Sequence, residues 1–200
     1  MLEGRTIPAA YFVWAAAGFD FLDGFAARTL KISSRIGKEL DSLADVISFG
    51  LLPAVVVYKL WSPDAGEMLP FLSFSIAAFS ALRLAIFNID ESQTDSFRGL
   101  PTPANALLIS ALPLLTGPFK VWLQETWVLV IIIACSSYLL VAPIELFALK
   151  FKSFSWKENK IRFTFLLLAI ALLVLLNAAA IPLIILLYIG LSLSVKAFSS

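Results

Sequence analysis

The chain has 200 residues, of which 60% are hydrophobic and 14% charged, with a formal net charge of +1 and a mean hydropathy of +0.92. That composition excludes a soluble domain and defines an integral membrane protein, in which the placement of charge matters more than its sum. Histidine is absent, which excludes catalytic triads, phosphohistidine intermediates and histidine-ligated zinc. The single cysteine, Cys135, lies in an apolar run, allows no intrachain disulfide and reads as a small core residue.

In chain order, seven apolar segments fall near 8–28, 39–60, 68–89, 102–117, 124–144, 161–178 and 181–197. Each approaches the ~20 residues needed to cross a hydrocarbon core, although the fourth is short. The last two are separated by a tight turn around Ala179–Pro182. No repeat, low-complexity stretch or long linker divides the chain, so the expected architecture is all-α: one polytopic transmembrane helical bundle with about seven membrane helices, spanning 1–200 as a single domain.

Placing the first loop in the cytoplasm puts Arg28, Lys31, Arg35, Lys38, Arg98, Lys150, Lys152, Lys157, Lys160, Arg162 and Lys196 on that side, against Arg5, Lys59 and Lys120 on the other. Eleven against three, with Arg83 inside a segment, orients the amino terminus outside by the positive-inside rule.

The most informative stretch is Asp20-x-x-Asp23-Gly24-x-x-Ala27-Arg28-x8-Gly37-x3-Asp41-x3-Asp45. An Asp at mid-helix in a membrane costs ~3 kcal/mol, so four left uncompensated would cost on the order of 10 kcal/mol. Asp20 and Asp23 share a face at the cytoplasmic end of the first segment, and Asp41 and Asp45 share a stripe at the start of the second. At ~1.5 Å per residue from the loop, Asp23 and Asp41 lie at similar depth, with Asp20 and Asp45 one turn deeper, so the helices present a square of four carboxylates.

Hard oxygen ligands in that number suit Mg²⁺ or Mn²⁺, and four acids can neutralise two such ions. Paired ions polarise a phosphoryl group and stabilise attacking and leaving oxygens. Gly24 and Gly37 allow close approach by a nucleotide or a neighbouring backbone. Arg28 offers either a fork for phosphate or a positive-inside anchor.

The pattern from Asp20 through Asp45 resembles the signature of the CDP-alcohol phosphatidyltransferase family at every fixed position. The resemblance implies a membrane bundle whose carboxylates, Asp20, Asp23, Asp41 and Asp45, bind divalent metal and the pyrophosphate of a CDP-linked lipid. It also implies that Gly24, Ala27, Arg28 and Gly37 shape the nucleotide and pyrophosphate site, and that Asp45 is the base that takes a proton from the incoming alcohol. The resemblance also leads to the expectation of a further apolar helix before the motif, where this sequence has only a short lead-in: either it begins at an internal methionine or the protein lacks one wall of the site, and an amino terminus on the outside agrees with loss of one helix.

Three further stretches, Leu43 to Gly50, Leu82 to Asn88 and Phe97 to Ala104, resemble the membrane-embedded phosphatidylserine synthase branch of that family. This implies transfer of a phosphatidyl group from CDP-diacylglycerol to L-serine. One departure is Ile86, where the resembling stretch carries a second arginine. Arg83 and Arg98 are candidates for binding the acceptor or a lipid phosphate, with snorkelling to the interface the alternative for Arg83. Asn88 either orders the rim of the site or caps its helix.

The rival readings are a related transferase using glycerol 3-phosphate or an inositol phosphate, an inactive truncated homologue, and a cation transporter. The expected partners are CDP-diacylglycerol, L-serine and membrane lipids, with no nucleic acid; exposed aromatic and small-residue faces permit a homodimer. The expected location is a bacterial cytoplasmic membrane, with the site facing the cytoplasm. Leu146–Ile161, basic and aromatic, is expected at the anionic membrane surface.

Overall fold

The computed structural model describes residues 6–30, 34–90, 96–147, 156 and 159–199. Helix α1 spans Thr6–Leu30, with Pro8 in its first turn, where a missing N–H costs nothing. Helix α2 spans Arg35–Tyr58. Its start is set by Ser34, whose Oγ accepts a hydrogen bond from the Gly37 N–H at 3.0 Å.

Directly after Asp45, α2 widens into a π turn over Val46–Leu51. Pro53 follows; it has no N–H to donate, and its ring crowds the carbonyl four residues earlier. The π turn absorbs that conflict and rotates the apolar half of α2 relative to its acidic half. Gly50 sits at the resulting close crossing, where an added Cβ would be 3.0 Å from the Ser80 Cβ.

Helix α3 spans Leu69–Ile89 and begins as a 3₁₀ turn over Leu69–Phe74. Helix α4, Thr102–Ser110, starts with Pro103 in its first turn and ends in a 3₁₀ turn at Leu112–Leu114. A short α5, Pro118–Trp122, leads to α6, Thr126–Val141. Helices α7, Lys160–Leu176, and α8, Ala180–Ser199, form a hairpin. Its turn lies at Asn177–Ala179, slightly earlier than the sequence suggests. Asn177 takes the left-handed φ of 52° that asparagine tolerates, which leaves Pro182 inside the first turn of α8.

Every apolar segment coincides with a helix, but their lengths differ in what they carry. Among the described residues, α2 and α3 are long and apolar enough to cross a membrane, whereas Thr102–Leu114, Thr126–Val141 and Ala180–Ser194 are apolar but shorter. By length and composition alone, then, the described helices account for two spans rather than seven.

The fold is all-α, as expected, and adds one short ladder among the described residues. Strands β1, Ser96–Arg98, and β2, Glu145–Phe147, pair antiparallel with Arg98 opposite Glu145. This ladder satisfies backbone groups of two loops that helices cannot serve. It continues into Gly99, whose N–H donates to the Ile144 carbonyl at 2.9 Å, and Leu100, whose N–H donates to the Leu139 carbonyl at 2.7 Å.

Helix α3 packs between α2 and α6, and α4 lies centrally against α1, α2 and α8. One core cluster joins Ala54, Val57, Ile76, Ile109 and Leu129; a second joins Leu100, Leu146, Phe165, Ile185 and Tyr188. Some buried polar groups inside this packing are paired, Trp14 Nε1 donating to Ser110 Oγ at 3.0 Å and Ser136 Oγ to Asn105 Oδ1 at 2.8 Å, whereas Ser80 Oγ, Arg83 Nε and Asn105 Nδ2 have no partner among the described residues.

Two expectations are corrected here. Cys135 is exposed on α6 rather than buried, because the buried face of that helix is formed by Leu129, Ile133, Ser136, Ser137 and Leu140. Within Leu146–Ile161, Leu146 is buried in the second core cluster, so the segment does not lie wholly on a surface; residues 148–155 and 157–158 are outside the described residues.

Gly99 adopts a φ of 72°, and a Cβ there would collide with the Leu139 and Leu140 carbonyls. Gly99→Ala is therefore expected to lower stability by at least about 1 kcal/mol, read as an earlier thermal melt in detergent. An unchanged melt would show that the loops do not approach so closely.

Candidate active site

The end of α1 and the start of α2 carry the acids. Asp20 and Asp23 are one turn apart on α1, and Asp41 and Asp45 are one turn apart on α2. The carboxylates of Asp20, Asp23 and Asp41 lie within 4.8 Å of one another, Asp20 half-buried and the other two exposed. Asp45 is half-buried and lies in electrostatic range of Asp20, Asp41 and Arg83. The expected square is thus a close triangle of three with Asp45 beside it, all four lining one cavity.

That cavity has a volume of about 770 Å³. Its polar side combines the four aspartates with Gly24, Lys38, Ser42, Arg83 and Asn88. Its apolar side is built by Ala17 and Phe21 of α1, Leu107 of α4, Phe165 of α7 and Ile185 of α8. A charged wall facing an apolar wall suits an amphiphile with an anionic head.

A hydrogen-bonded clasp fixes the acidic half of α2 against the end of α3. Lys38 Nζ donates to the Asn88 carbonyl at 3.0 Å, Asn88 Nδ2 donates to Ser42 Oγ at 2.9 Å, and Ser42 Oγ donates to the Lys38 carbonyl at 3.1 Å. Asn88 therefore orders the rim, one of the two roles open from sequence. The clasp holds Asp41 and Asp45 at a set distance from Arg83, on the same helix as Asn88.

Arg83 is 7% exposed and faces the cavity rather than reaching to an interface. Its Nη1 donates to Thr102 Oγ1 at 3.3 Å, its Cζ lies 5.5 Å from the Phe87 ring centroid, and its Nε has no partner among the described residues. Buried guanidinium donors without partners favour an incoming anion. Arg83 also lines an adjoining pocket of about 180 Å³ with Ile86, Phe87 and Arg98.

Of the residues singled out in the sequence, the main cavity brings together Asp20, Asp23, Gly24, Asp41, Asp45 and Arg83. Arg98 lines only the adjoining pocket. Gly37 sits at the Ser34 cap, where a Cβ would come within 2.9 Å of Ser34 Oγ, and neither it nor the exposed Ala27 lines the cavity. The Arg28 side chain lies outside the described residues. Lys38, Ser42 and Tyr188 line the site without having been singled out. Lys38 and Ser42 carried a signal, being one turn before Asp41 and Asp45 on the same helix; Tyr188, in a plain apolar helix, carried none.

The donor set can be tested against a divalent ion by its chemistry. Clustered carboxylates offer hard oxygens only, which fits Mg²⁺ or Mn²⁺ and not a thiophilic metal. An acidic cavity whose donors suit a hard divalent ion thus lies beside an apolar wall.

Sequence comparison gives the family. The profile of CDP-alcohol phosphatidyltransferases matches residues 1–132, and the chain belongs to that family. It is 38% identical over 115 residues to a CDP-diacylglycerol–serine O-phosphatidyltransferase of Helicobacter pylori, covering 56% of this chain and 48% of that protein. To proteins of the same name it is 36% identical over 154 residues in Mycobacterium leprae, covering 72% and 51%, and 35% identical over 144 residues in Bacillus subtilis, covering 68% and 73%. The chain thus spans about half the length of the first two relatives and most of the third.

Asn88→Ala removes one bond of the clasp and is expected to cost about 1 kcal/mol of stability. Paired thermal melts of Asn88→Ala, Ser42→Ala and the double variant check it: effects that add in full would mean the two side chains are not bonded.

Proposed function

We propose that the chain transfers a phosphatidyl group from CDP-diacylglycerol to L-serine, releasing CMP. The observation that carries this reading is the single cavity in which four aspartates and Arg83 face an apolar wall. The relatives named above support the choice of substrates.

Asp20, Asp23, Asp41 and Asp45 would hold Mg²⁺ or Mn²⁺, two ions in all, and Gly24 leaves room beside them for the nucleotide. Bound there, the metal supplies positive charge that polarises the phosphoryl oxygens and stabilises the leaving CMP. On the nucleotide side the reading adds Arg28, and Ala27 and Gly37 as small residues at the helix ends outside the cavity lining; Arg83, with Arg98 in the adjoining pocket, serves the acceptor or the lipid phosphate. Asp45 accepts the proton of the serine hydroxyl, whose oxygen forms a bond to the lipid-proximal phosphorus as the bond from that phosphorus to the CMP oxygen breaks. The diacylglycerol tails lie along Ala17, Phe21, Leu107, Phe165 and Ile185. Orientation and charge neutralisation provide most of the acceleration, since the chain offers no histidine nucleophile or base.

The reading further takes residues 1–200 as a single domain and as a multi-pass bundle of seven spans in a bacterial cytoplasmic membrane, with the cavity open to the cytoplasm. The shorter apolar helices complete that bundle by local thinning of the bilayer and snorkelling of flanking residues. A homodimer is included in the proposal.

The deciding measurement is metal-dependent CMP release from CDP-diacylglycerol with L-serine, glycerol 3-phosphate and inositol phosphate as competing acceptors. Release with serine is expected; release only with another acceptor rejects the substrate assignment. Asp45→Asn is expected to reduce kcat by at least ~10²-fold while CDP-diacylglycerol still binds. Near-normal turnover would remove Asp45 from the role of base. Asp23→Asn should raise the Mn²⁺ concentration needed for half-maximal rate by ~10-fold or more, and an unchanged metal dependence would exclude Asp23 as a ligand.

A further inference from the structure

The pocket of about 180 Å³ beside the acidic cavity shares two of its lining residues with that cavity, Arg83 and Phe87. The Arg83 guanidinium lies 5.5 Å from the Phe87 ring centroid, so this pair forms the partition between two chambers. Away from the partition, the smaller chamber is completed by Arg98 of β1 and by Leu140–Pro143, the end of α6 and the two residues after it. These walls are tied to each other. The Gly99 N–H donates to the Ile144 carbonyl at 2.9 Å and the Leu100 N–H to the Leu139 carbonyl at 2.7 Å, on either side of Leu140–Pro143. Gly99, with its φ of 72° and no space for a Cβ, lets the strand and the helix end meet this closely. The small chamber is therefore a fixed feature of the fold, and Leu140–Pro143 lie beyond the family match at 1–132.

Its chemistry is selective. Two guanidinium-bearing side chains line a pocket whose other walls, Ile86, Phe87 and Leu140–Pro143, are apolar. Arg83 is 7% exposed and its Nε has no partner among the described residues, a buried donor that an incoming acceptor atom would satisfy. The planar fork of arginine matches a carboxylate in bidentate fashion. The volume is below the roughly 300–1,000 Å³ of pockets that enclose drug-sized ligands, so the occupant is a group of few atoms. In the transferase reading the lipid is already accommodated elsewhere, its tails on the apolar wall and its pyrophosphate beside the acids of the large cavity. The acceptor, by contrast, carries a compact anionic end and a hydroxyl that must reach Asp45, and Asp45 lines the large cavity together with Arg83.

We infer that the small chamber selects the acceptor: Arg83 and Arg98 hold the carboxylate of L-serine, and Val141, Ala142 and Ile86 limit the bulk that the acceptor can carry beside that carboxylate. The serine hydroxyl then extends past the Arg83–Phe87 partition toward Asp45. Acceptor choice is thus set in part by a strand and a helix end that lie outside the acidic motif. This rests on the transferase reading given above and adds to it the place and the size limit of the acceptor.

The experiment measures CMP release by the full chain in nanodiscs, varying each substrate in turn. Arg98→Gln removes one of the two forks and is expected to raise the KM of L-serine by about tenfold, with the KM of CDP-diacylglycerol and kcat within about twofold. Val141→Ala widens the wall and is read with two acceptors, L-serine and α-methyl-L-serine, which adds one methyl group beside the carboxylate. The ratio of kcat/KM for α-methyl-L-serine to that for L-serine is expected to rise by about tenfold, because one carbon in an apolar pocket is discriminated by ~10-fold or more. A substitution that only loosened the fold would lower both acceptors alike and leave this ratio where it was.

A rise in the KM of CDP-diacylglycerol in place of that of L-serine would put the lipid phosphate in the small chamber and overturn the inference. An unchanged KM for L-serine in Arg98→Gln, or an unchanged acceptor ratio in Val141→Ala, overturns it as well. Should Arg98→Gln not fold, the acceptor ratio of Val141→Ala decides alone. Serine-dependent release by the unsubstituted chain together with any of these results rejects the small chamber and leaves the transferase reading intact. Absence of serine-dependent release from the unsubstituted chain sinks that reading, and this inference with it.

Discussion

Carboxylates that repel one another at close range are the constraint on which the site depends. Asp20, Asp23 and Asp41 come within 4.8 Å, with Asp45 in electrostatic range, at the meeting of two helices whose remaining surface is largely apolar. Such a cluster is unfavourable unless a cation or a hydrogen-bonded ligand offsets it, and hard oxygen donors narrow the cation to the Mg²⁺ class. The rest of the architecture can be understood as holding these groups together against that repulsion.

Several local features serve this end by different means. The Ser34 cap fixes where α2 begins, and so the depth of Asp41 below it. The π turn after Asp45 separates the helix into an acidic half that faces the cavity and an apolar half that packs on α3. Gly50 lets α3 approach closely enough for Asn88 to reach Ser42 and for Arg83 to reach the cavity. The β1–β2 ladder with Gly99 then sets the start of α4, where Thr102 meets Arg83.

Much of this was legible in advance. Long apolar runs placed the helices because hydrophobic length is a strong signal, and the spacing Asp20, Asp23, Asp41, Asp45 placed the acids on facing stripes because helical periodicity is fixed. What escaped was short or non-local. The three-residue strands have no periodicity to detect, and the turn at Asn177–Ala179 was offset because Pro182 reads as a breaker although it is tolerated in a first turn. The cap at Ser34, which receives the Gly37 N–H, depends on local geometry that spacing alone does not reveal. Tyr188 was invisible because nothing in a uniformly apolar helix says which side chain will line a cavity built by distant parts of the chain.

By itself the sequence determined the helical class, the family and the identity of the acidic cluster, since these follow from composition, period and a motif of fixed spacing. The tertiary structure decided which groups share a cavity: that three acids crowd together with Asp45 beside them, that Arg83 turns toward them, and that Lys38, Ser42 and Tyr188 join them. The physical reason is that local periodicity sets the face of a helix on which a residue lies, whereas its neighbours across the bundle depend on crossings and bends made by the whole chain, such as the π turn and the contact at Gly50.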